Sequence, residues 1–174
     1  MYSCSNGEKK YEKQLAILDS LSKELDKADS LLNSIDTLKL TIAHKEMLEQ
    51  MEYLQQNYKD TMETALALFI NEYHYVKKPF AVFLTESKKL AKELSYSRGQ
   101  VKDLSDDLKH DRIEEKKVGE YFAAEVTEIS KITGSVNIAV QVVKEYFPKF
   151  DEMDPRMKQV VNELKQKQQN EKTK

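Results

Sequence analysis

From Tyr11 onward a set of apolar residues steps by three and four: Tyr11, Leu15, Leu18, Leu21, Leu25, Ala28, Leu32, Ile35, Leu38 and Ile42, with mainly polar residues between them. That spacing returns to one side of a helix at every turn, so it predicts a helix with an apolar stripe as narrow as a coiled-coil seam. Met47, Met51, Leu54 and Tyr58 continue the period after a phase slip near residues 43–46, and Asn33, Ser34 and Asp36 are placed to mark a short kink. One long helix from about Glu8 to Asn57 is expected. Beyond it, Asp60 with Glu63 three residues on forms a reciprocal capping pair, which predicts a chain reversal and a new helix start.

Two further stripes follow. The second comprises Met62, Leu66, Phe69, Tyr73, Val76, Phe80, Phe83, Leu84, Leu90, Leu94, Val101, Leu104 and Leu108, and it stays in phase on both sides of Pro79. Proline removes one backbone donor and crowds the preceding turn, so the unbroken stripe predicts a kinked helix; a full break at Lys78 is the alternative. Gly99 weakens this helix by about 1 kcal/mol relative to alanine. Asp111 with Glu114 repeats the capping arrangement and predicts the next reversal. The third stripe runs through Val118, Phe122, Val126, Ile129, Ile132, Val136, Val140, Val143 and Phe147 and is expected to end before Pro148. Its segment GSVNIAVQVV is rich in β-branched residues and reads as a strand on propensity alone. A strand needs a partner, and no other segment supplies one, so helix is expected. Asp154 before Pro155 signals the start of a short fourth helix, because proline in the first turn loses no hydrogen bond it could have made.

The fold class that follows is all-α: an elongated antiparallel bundle of three long helices plus a short C-terminal helix. Its expected organisation is a flexible N-terminal tether over residues 1–7, a helical bundle domain over 8–168, and a disordered polar tail over 169–174. Pairing the second and third helices antiparallel sets Phe69 to Phe83 opposite Tyr146 to Phe150, and the thickest part of the core is expected there, since aromatic rings bury the most area. A groove accepting a partner helix is the functional alternative for these aromatics.

Composition narrows the function classes. Of 174 residues, 40% are hydrophobic and 33% charged, with four glycines and three prolines, which suits exposed helices better than a compact α/β enzyme. The 28 basic and 30 acidic residues are interspersed, so no basic stripe forms and nucleic acid is not an expected partner. The window ALALFINEYHYVKKPFAVFL approaches the length of a membrane span, but Asn71, Glu72, His74, Lys77 and Lys78 interrupt it, and their burial in hydrocarbon would cost several kcal/mol each.

Residues able to carry chemistry are sparse. Metal sites in helical bundles use a carboxylate and a histidine one turn apart, duplicated on two helices. The nearest spacing is Asp107 to His110, flanked by Asp106 and Glu114, at a predicted reversal and without a second copy. His44 and His74 stand singly in separate helices. The glycines at 7, 99, 119 and 134 match no phosphate-binding loop. Adjacent carboxylates such as Asp106 with Asp107 and Glu114 with Glu115 read as exposed helix surface at this charge density. The lysines of KQKQQNEKTK read as a solvated tail, with anionic lipid as the alternative. No catalytic residue, metal or cofactor is expected.

The one cysteine, Cys4, cannot form an internal disulfide, and no histidine or helix start near it in sequence would activate a thiolate. It follows a small residue, Ser3, and precedes a polar run, in MYSCSNGEKKYEK. This pattern resembles the processed region of bacterial lipoproteins, in which a small residue precedes the lipidated cysteine. The order of YEKQLAILDSL, YHYVKKPFAVF, SRGQVKDLSDDL and AAEVTEI is similar to small all-helical lipoproteins of Bacteroidetes-type bacteria with coiled-coil character. The resemblance implies a lipid anchor on Cys4, a periplasmic or outer-membrane-tethered location, and a non-enzymatic spacer or interaction module with an unknown protein partner. Several acyl chains on one cysteine would give near-permanent attachment. The rival expectation is a soluble cytoplasmic coiled-coil adaptor that forms a homodimer through an exposed seam, its cysteine incidental.

Overall fold

A computed structural model describes residues 6–59 and 61–172. Cys4, and Asp60 of the first capping pair, lie outside the described residues. The described residues are all-α, without strands, and form five helices: α1 (Asn6–Lys10), α2 (Glu12–Asn33), α3 (Thr37–Asn57), α4 (Thr64–Lys109) and α5 (Glu115–Lys172). They belong to two compact units, Met1–Ser34 with Glu86–Val140, and Ile35–Thr85 with Gln141–Lys174.

The helix expected over 8–57 is three helices. At Tyr11 the backbone distorts to φ −115° and ψ 23°, yet Tyr11 N still donates to Gly7 O and Leu15 N to Tyr11 O, so α1 leads directly into α2. Residues 34–36 interrupt the path more strongly. Ser34 Oγ turns back to Leu31 O, and the extended Asp36 accepts from Lys39 N at 2.9 Å as the N-cap of α3. This break resets the phase of the stripe. Leu38 and Ile42, expected in the seam, are 70% and 52% exposed, and Leu40 and Ala43 are buried in their place, while Met47 is buried as expected.

Both long helices carry proline in their interiors. α4 runs 46 residues without a break at Pro79, as the continuous stripe implied. α5 corrects the sequence reading: it runs 58 residues through Pro148 and Pro155, so there is no separate short fourth helix, and Asp154 is not an N-cap. Each interior proline costs about 3 kcal/mol in an isolated helix. Packing on both sides of these two offsets that cost, since Val143, Phe150, Asp154, Met157 and Val161 are all buried. The GSVNIAVQVV segment is helical, with Val136, Val140 and Val143 in the core. α5 also takes in residues 169–172 of the stretch read as tail, and α1 takes in Asn6 and Gly7 of the stretch read as tether.

In the first unit, the core of α2 (Leu18, Leu21, Leu25, Leu32) belongs with Leu90, Leu94, Leu104 and Leu108 of α4 and Ile129, Val136 and Val140 of α5. Lys10 meets Asp111, and Arg98 Nη2 meets Asp26 at 3.0 Å and Asp29 at 3.4 Å, so α2 and this part of α4 run antiparallel. In the second unit, Phe80 stacks on Phe147 with centroids 5.5 Å apart and meets Phe150 edge-on at 5.9 Å, while Tyr73 lies 6.3 Å from Phe150. These contacts unite Phe69–Phe83 with Tyr146–Phe150 as the sequence predicted. Lys39 sits over Phe147 and Lys158 pairs with Glu46, so α3 and α5 run parallel there, and α4 runs against both.

Candidate functional site

The described residues nearest Cys4 are clasped to the turn between α4 and α5. Gly7 is buried against the end of α4: a Cβ at this position would overlap the carbonyl oxygens of Leu108 and Lys109. The turn itself is a helix-ending motif in which Asp111 N donates to Leu108 O and Arg112 N to Asp107 O, with Asp111 at φ 51° in the position glycine usually fills. Asp111 is therefore a C-terminal turn residue of α4, not the cap of α5 that its spacing to Glu114 predicted. Its carboxylate accepts from Lys10 Nζ at 3.1 Å and from Tyr11 Oη at 3.3 Å, and Lys10 also reaches Glu115 at 3.2 Å. Tyr11 is buried beneath these contacts. The Tyr11 hydroxyl, then Asp111 and Glu115, raise the Lys10 ammonium above its ordinary value. Lys10 and Asp111 are both partly open to water, so the ion pair adds little beyond positioning. The apolar burial of Tyr11 and the close approach at Gly7 hold the clasp.

The second unit contains a polar cluster inside its core. Gln50 and Asp154 are each 8% exposed and Tyr73 is fully buried. Gln50 Nε2 donates to Asp154 Oδ1 at 2.9 Å; the Tyr73 hydroxyl donates to Gln50 Oε1 at 2.6 Å and lies 3.1 Å from Asp154 Oδ1. Lys158 Nζ neutralises the other carboxylate oxygen at 2.7 Å and reaches Glu46 Oε2 at 3.0 Å. Burial first, and then the Asp154 charge, drive the Tyr73 phenol far above its ordinary value, so it stays protonated. Hydrogen bonds to Asp154 and Glu46 raise the Lys158 ammonium. Among the described residues no buried side-chain nitrogen or oxygen lacks a partner. The cluster is closed on itself and ties together α3, α4 and α5.

The other candidates are dispersed. His110 Nδ1 lies 2.7 Å from the Asp106 carbonyl, Asp107 pairs with Arg112, and Glu114 pairs with Lys116 and Lys117, so the Asp107–His110 spacing gathers no ligand set. Among the described residues no three His, Cys, Asp or Glu side chains converge as metal ligands. His44 is held below its ordinary value by partial burial and by Lys77, and His74 lies 6.3 Å from Tyr75. A cleft of about 870 Å³ in the second unit is lined by Tyr58, Lys59, Leu66, Arg156, Val160 and Glu163 among others. Its charges are mixed, and Arg156 is already seated over the Phe69 ring at 4.3 Å.

Sequence reasoning missed the Gln50, Tyr73, Asp154 and Lys158 cluster. The sequence reading placed Met51 in the stripe between Met47 and Leu54, whereas the structure buries Gln50 there and leaves Met51 half-buried, so the spacing itself hid the polar residue. No protein-family model, curated protein or solved structure matches this chain.

Proposed function

We propose that this chain is a non-enzymatic lipoprotein of the cell envelope, a helical spacer or protein-interaction module attached to a membrane through an acylated Cys4. Within each unit the helices are inferred to pack as an antiparallel bundle, with α4 as the helix of opposite direction. The observation that carries the reading is the clasp: Asn6 begins α1, and Gly7, Lys10 and Tyr11 are held on the α4–α5 turn, so a single residue, Ser5, separates Cys4 in sequence from a fixed element. An anchor at Cys4 would thus hold the first unit by a short connection. The Ser3–Cys4 pattern supports acylation. No described helix is long and apolar enough to cross a membrane, so on this reading the lipid is the means of attachment. The self-satisfied polar cluster supports a structural role.

The test is metabolic labelling with a palmitate analogue in a diderm bacterium expressing the full-length gene, with Cys4→Ala as control. Label on the wild-type protein alone, together with its recovery in the membrane fraction, is the expected result. An unlabelled wild-type protein recovered with the soluble fraction would reject the anchor and leave the cytoplasmic adaptor, which the exposed apolar residues Leu68, Tyr75 and Val82 favour.

A further inference from the structure

We propose that α1 is a strap that opens and closes about Tyr11, and that its opening lengthens the connection between an anchored Cys4 and the first unit. The inference rests on the reading of Cys4 as the anchored residue and adds a conformational control to it. Gly7 is buried, whereas Glu8, Lys9 and Lys10 of the same five-residue helix are exposed. Gly7 fits closely against the carbonyl oxygens of Leu108 and Lys109, but glycine has no side chain to withdraw from water, so the seat is selective in shape and weak in apolar burial. Lys10 meets Asp111 at 3.1 Å and Glu115 at 3.2 Å, and ion pairs this open to solvent hold weakly. A helix of five residues does not persist alone, since isolated helices need about 12 residues to be even marginally stable. Once Gly7 leaves its seat, α1 therefore unwinds and gains backbone freedom in one concerted step.

What stays behind sets the hinge. The backbone of Tyr11 lies outside helical geometry and divides α1 from α2. Its ring is buried, its hydroxyl donates to Asp111, and beyond it Leu18, Leu21 and Leu25 fix α2 in the core. Opening thus stops at Tyr11. With the strap closed, Ser5 alone connects Cys4 to a fixed element; with it open, residues 5–10 do. At full extension the reach grows from about 3.5 Å to about 20 Å. Closed, the strap holds the unit at its anchor; open, it frees the unit to turn toward a partner. Tyr11 N donates to Gly7 O at 2.9 Å in the closed strap, so the Tyr11 amide reports the opening.

The first measurement is native-state amide hydrogen exchange on the full-length, unacylated chain under reducing conditions. The Tyr11 amide is expected to exchange about 10- to 1,000-fold more slowly than in an unstructured peptide, and Ile129, Val136 and Val140 at least about 100-fold more slowly again. Lys10→Glu, which sets like charges together at Asp111 and Glu115, is expected to lower the Tyr11 protection about two- to fivefold. The second measurement couples the chain through Cys4 to a maleimide-bearing lipid in a supported phosphatidylcholine bilayer and reads the gap between bilayer and protein by neutron reflectometry. Gly7→Ala is expected to widen that gap by about 5–15 Å over wild type. Chemical coupling stands in for acylation here, so failure of the strap is read in exchange and spacing, and failure of the anchor in the palmitate labelling. Circular dichroism checks that both variants keep the helix content of the bundle. A Tyr11 amide as protected as that of Val136, a Tyr11 amide without protection, or equal gaps for Gly7→Ala and wild type would overturn the proposal.

Discussion

The hydroxyl of Tyr73, on α4, donates to Gln50 Oε1, on α3, across 2.6 Å, and the same hydroxyl lies 3.1 Å from a carboxylate of α5, that of Asp154. Three helices of the second unit thus meet at one buried oxygen. Removing a member strands the others. Tyr73→Phe keeps the ring but leaves Gln50 Oε1 without its donor, an expected loss of about 1–3 kcal/mol. Asp154→Ala leaves Gln50 Nε2 without an acceptor and takes from Lys158 one of its two carboxylates, and is expected to cost up to about 3 kcal/mol, reduced because Lys158 is half exposed. Urea denaturation followed by circular dichroism measures both. Equal stability of Asp154→Ala and wild type would show that the cluster does not tie the three helices together.

The same phenol makes the second unit sensitive to alkali. In the unfolded chain Tyr73 ionises near its ordinary value of 10.0, while in the folded chain burial and Asp154 keep it protonated to far higher pH. The unfolded state therefore releases a proton first, and stability falls as pH rises above about 10. Lys158, raised in the folded chain, acts in the same direction: its contribution is full below its ordinary 10.5 and is lost as pH rises through the folded value. Tyr73→Phe is expected to flatten the decline of the denaturation midpoint between about pH 9.5 and 11.5. An unchanged slope would contradict this assignment.

His44 sets the acid side. Its folded-state value lies below the ordinary 6.5, through partial burial and then Lys77, so the unfolded state takes up a proton first as pH falls. Stability is unaffected above 6.5 and declines below it. The difference in denaturation midpoint between His44→Gln and wild type is expected to grow in favour of the variant from about pH 7 to pH 5.5, and a constant difference would refute the effect.

The clasp at Gly7 is separable from the core of the first unit. Gly7→Ala forces a methyl group into the carbonyls of Leu108 and Lys109, and the least costly response is release of α1. Faster amide hydrogen exchange at residues 8–13 is expected, with Ile129, Val136 and Val140 protected as before. If exchange at residues 8–13 stays at the wild-type rate, α1 has accommodated the methyl group and the close approach does not hold it.

Asp111 holds a left-handed conformation that costs a non-glycine residue about 1–2 kcal/mol. Asp111→Asn, which tolerates φ 51° and can still accept from Tyr11, is expected to stay within about 0.5 kcal/mol of wild type. Asp111→Val combines strain with loss of both partners and is expected to cost about 2–3 kcal/mol. Thermal melts of the two variants separate conformation from charge, and equal melting temperatures would refute the strain argument.

Helical class, the stripe that crosses Pro79 and the union of the two aromatic groups were legible in the sequence, because spacing by three and four is a property of neighbouring residues and survives any tertiary arrangement. Residues 34–36 show the limit of that reading: their polarity was visible, but the phase in which α3 restarts depends on which side faces α4 and α5, so Ile42 exchanged places with Ala43. Pro148, Asp154 and Pro155 show the same limit from the energetic side. Locally, Asp154 before proline is a cap signal worth about 1 kcal/mol. In the folded unit, burial of Phe150, Met157 and Val161, together with the contacts of Asp154 to Gln50, Tyr73 and Lys158, outweighs it and carries α5 straight through. The chain by itself determined that it would be helical and where most apolar faces lie. Only packing decided where helices stop, which polar residues go inside and how the start of α1 is held, because those outcomes compare local preferences of about 1 kcal/mol with burial of several side chains at about 1.5–3 kcal/mol each.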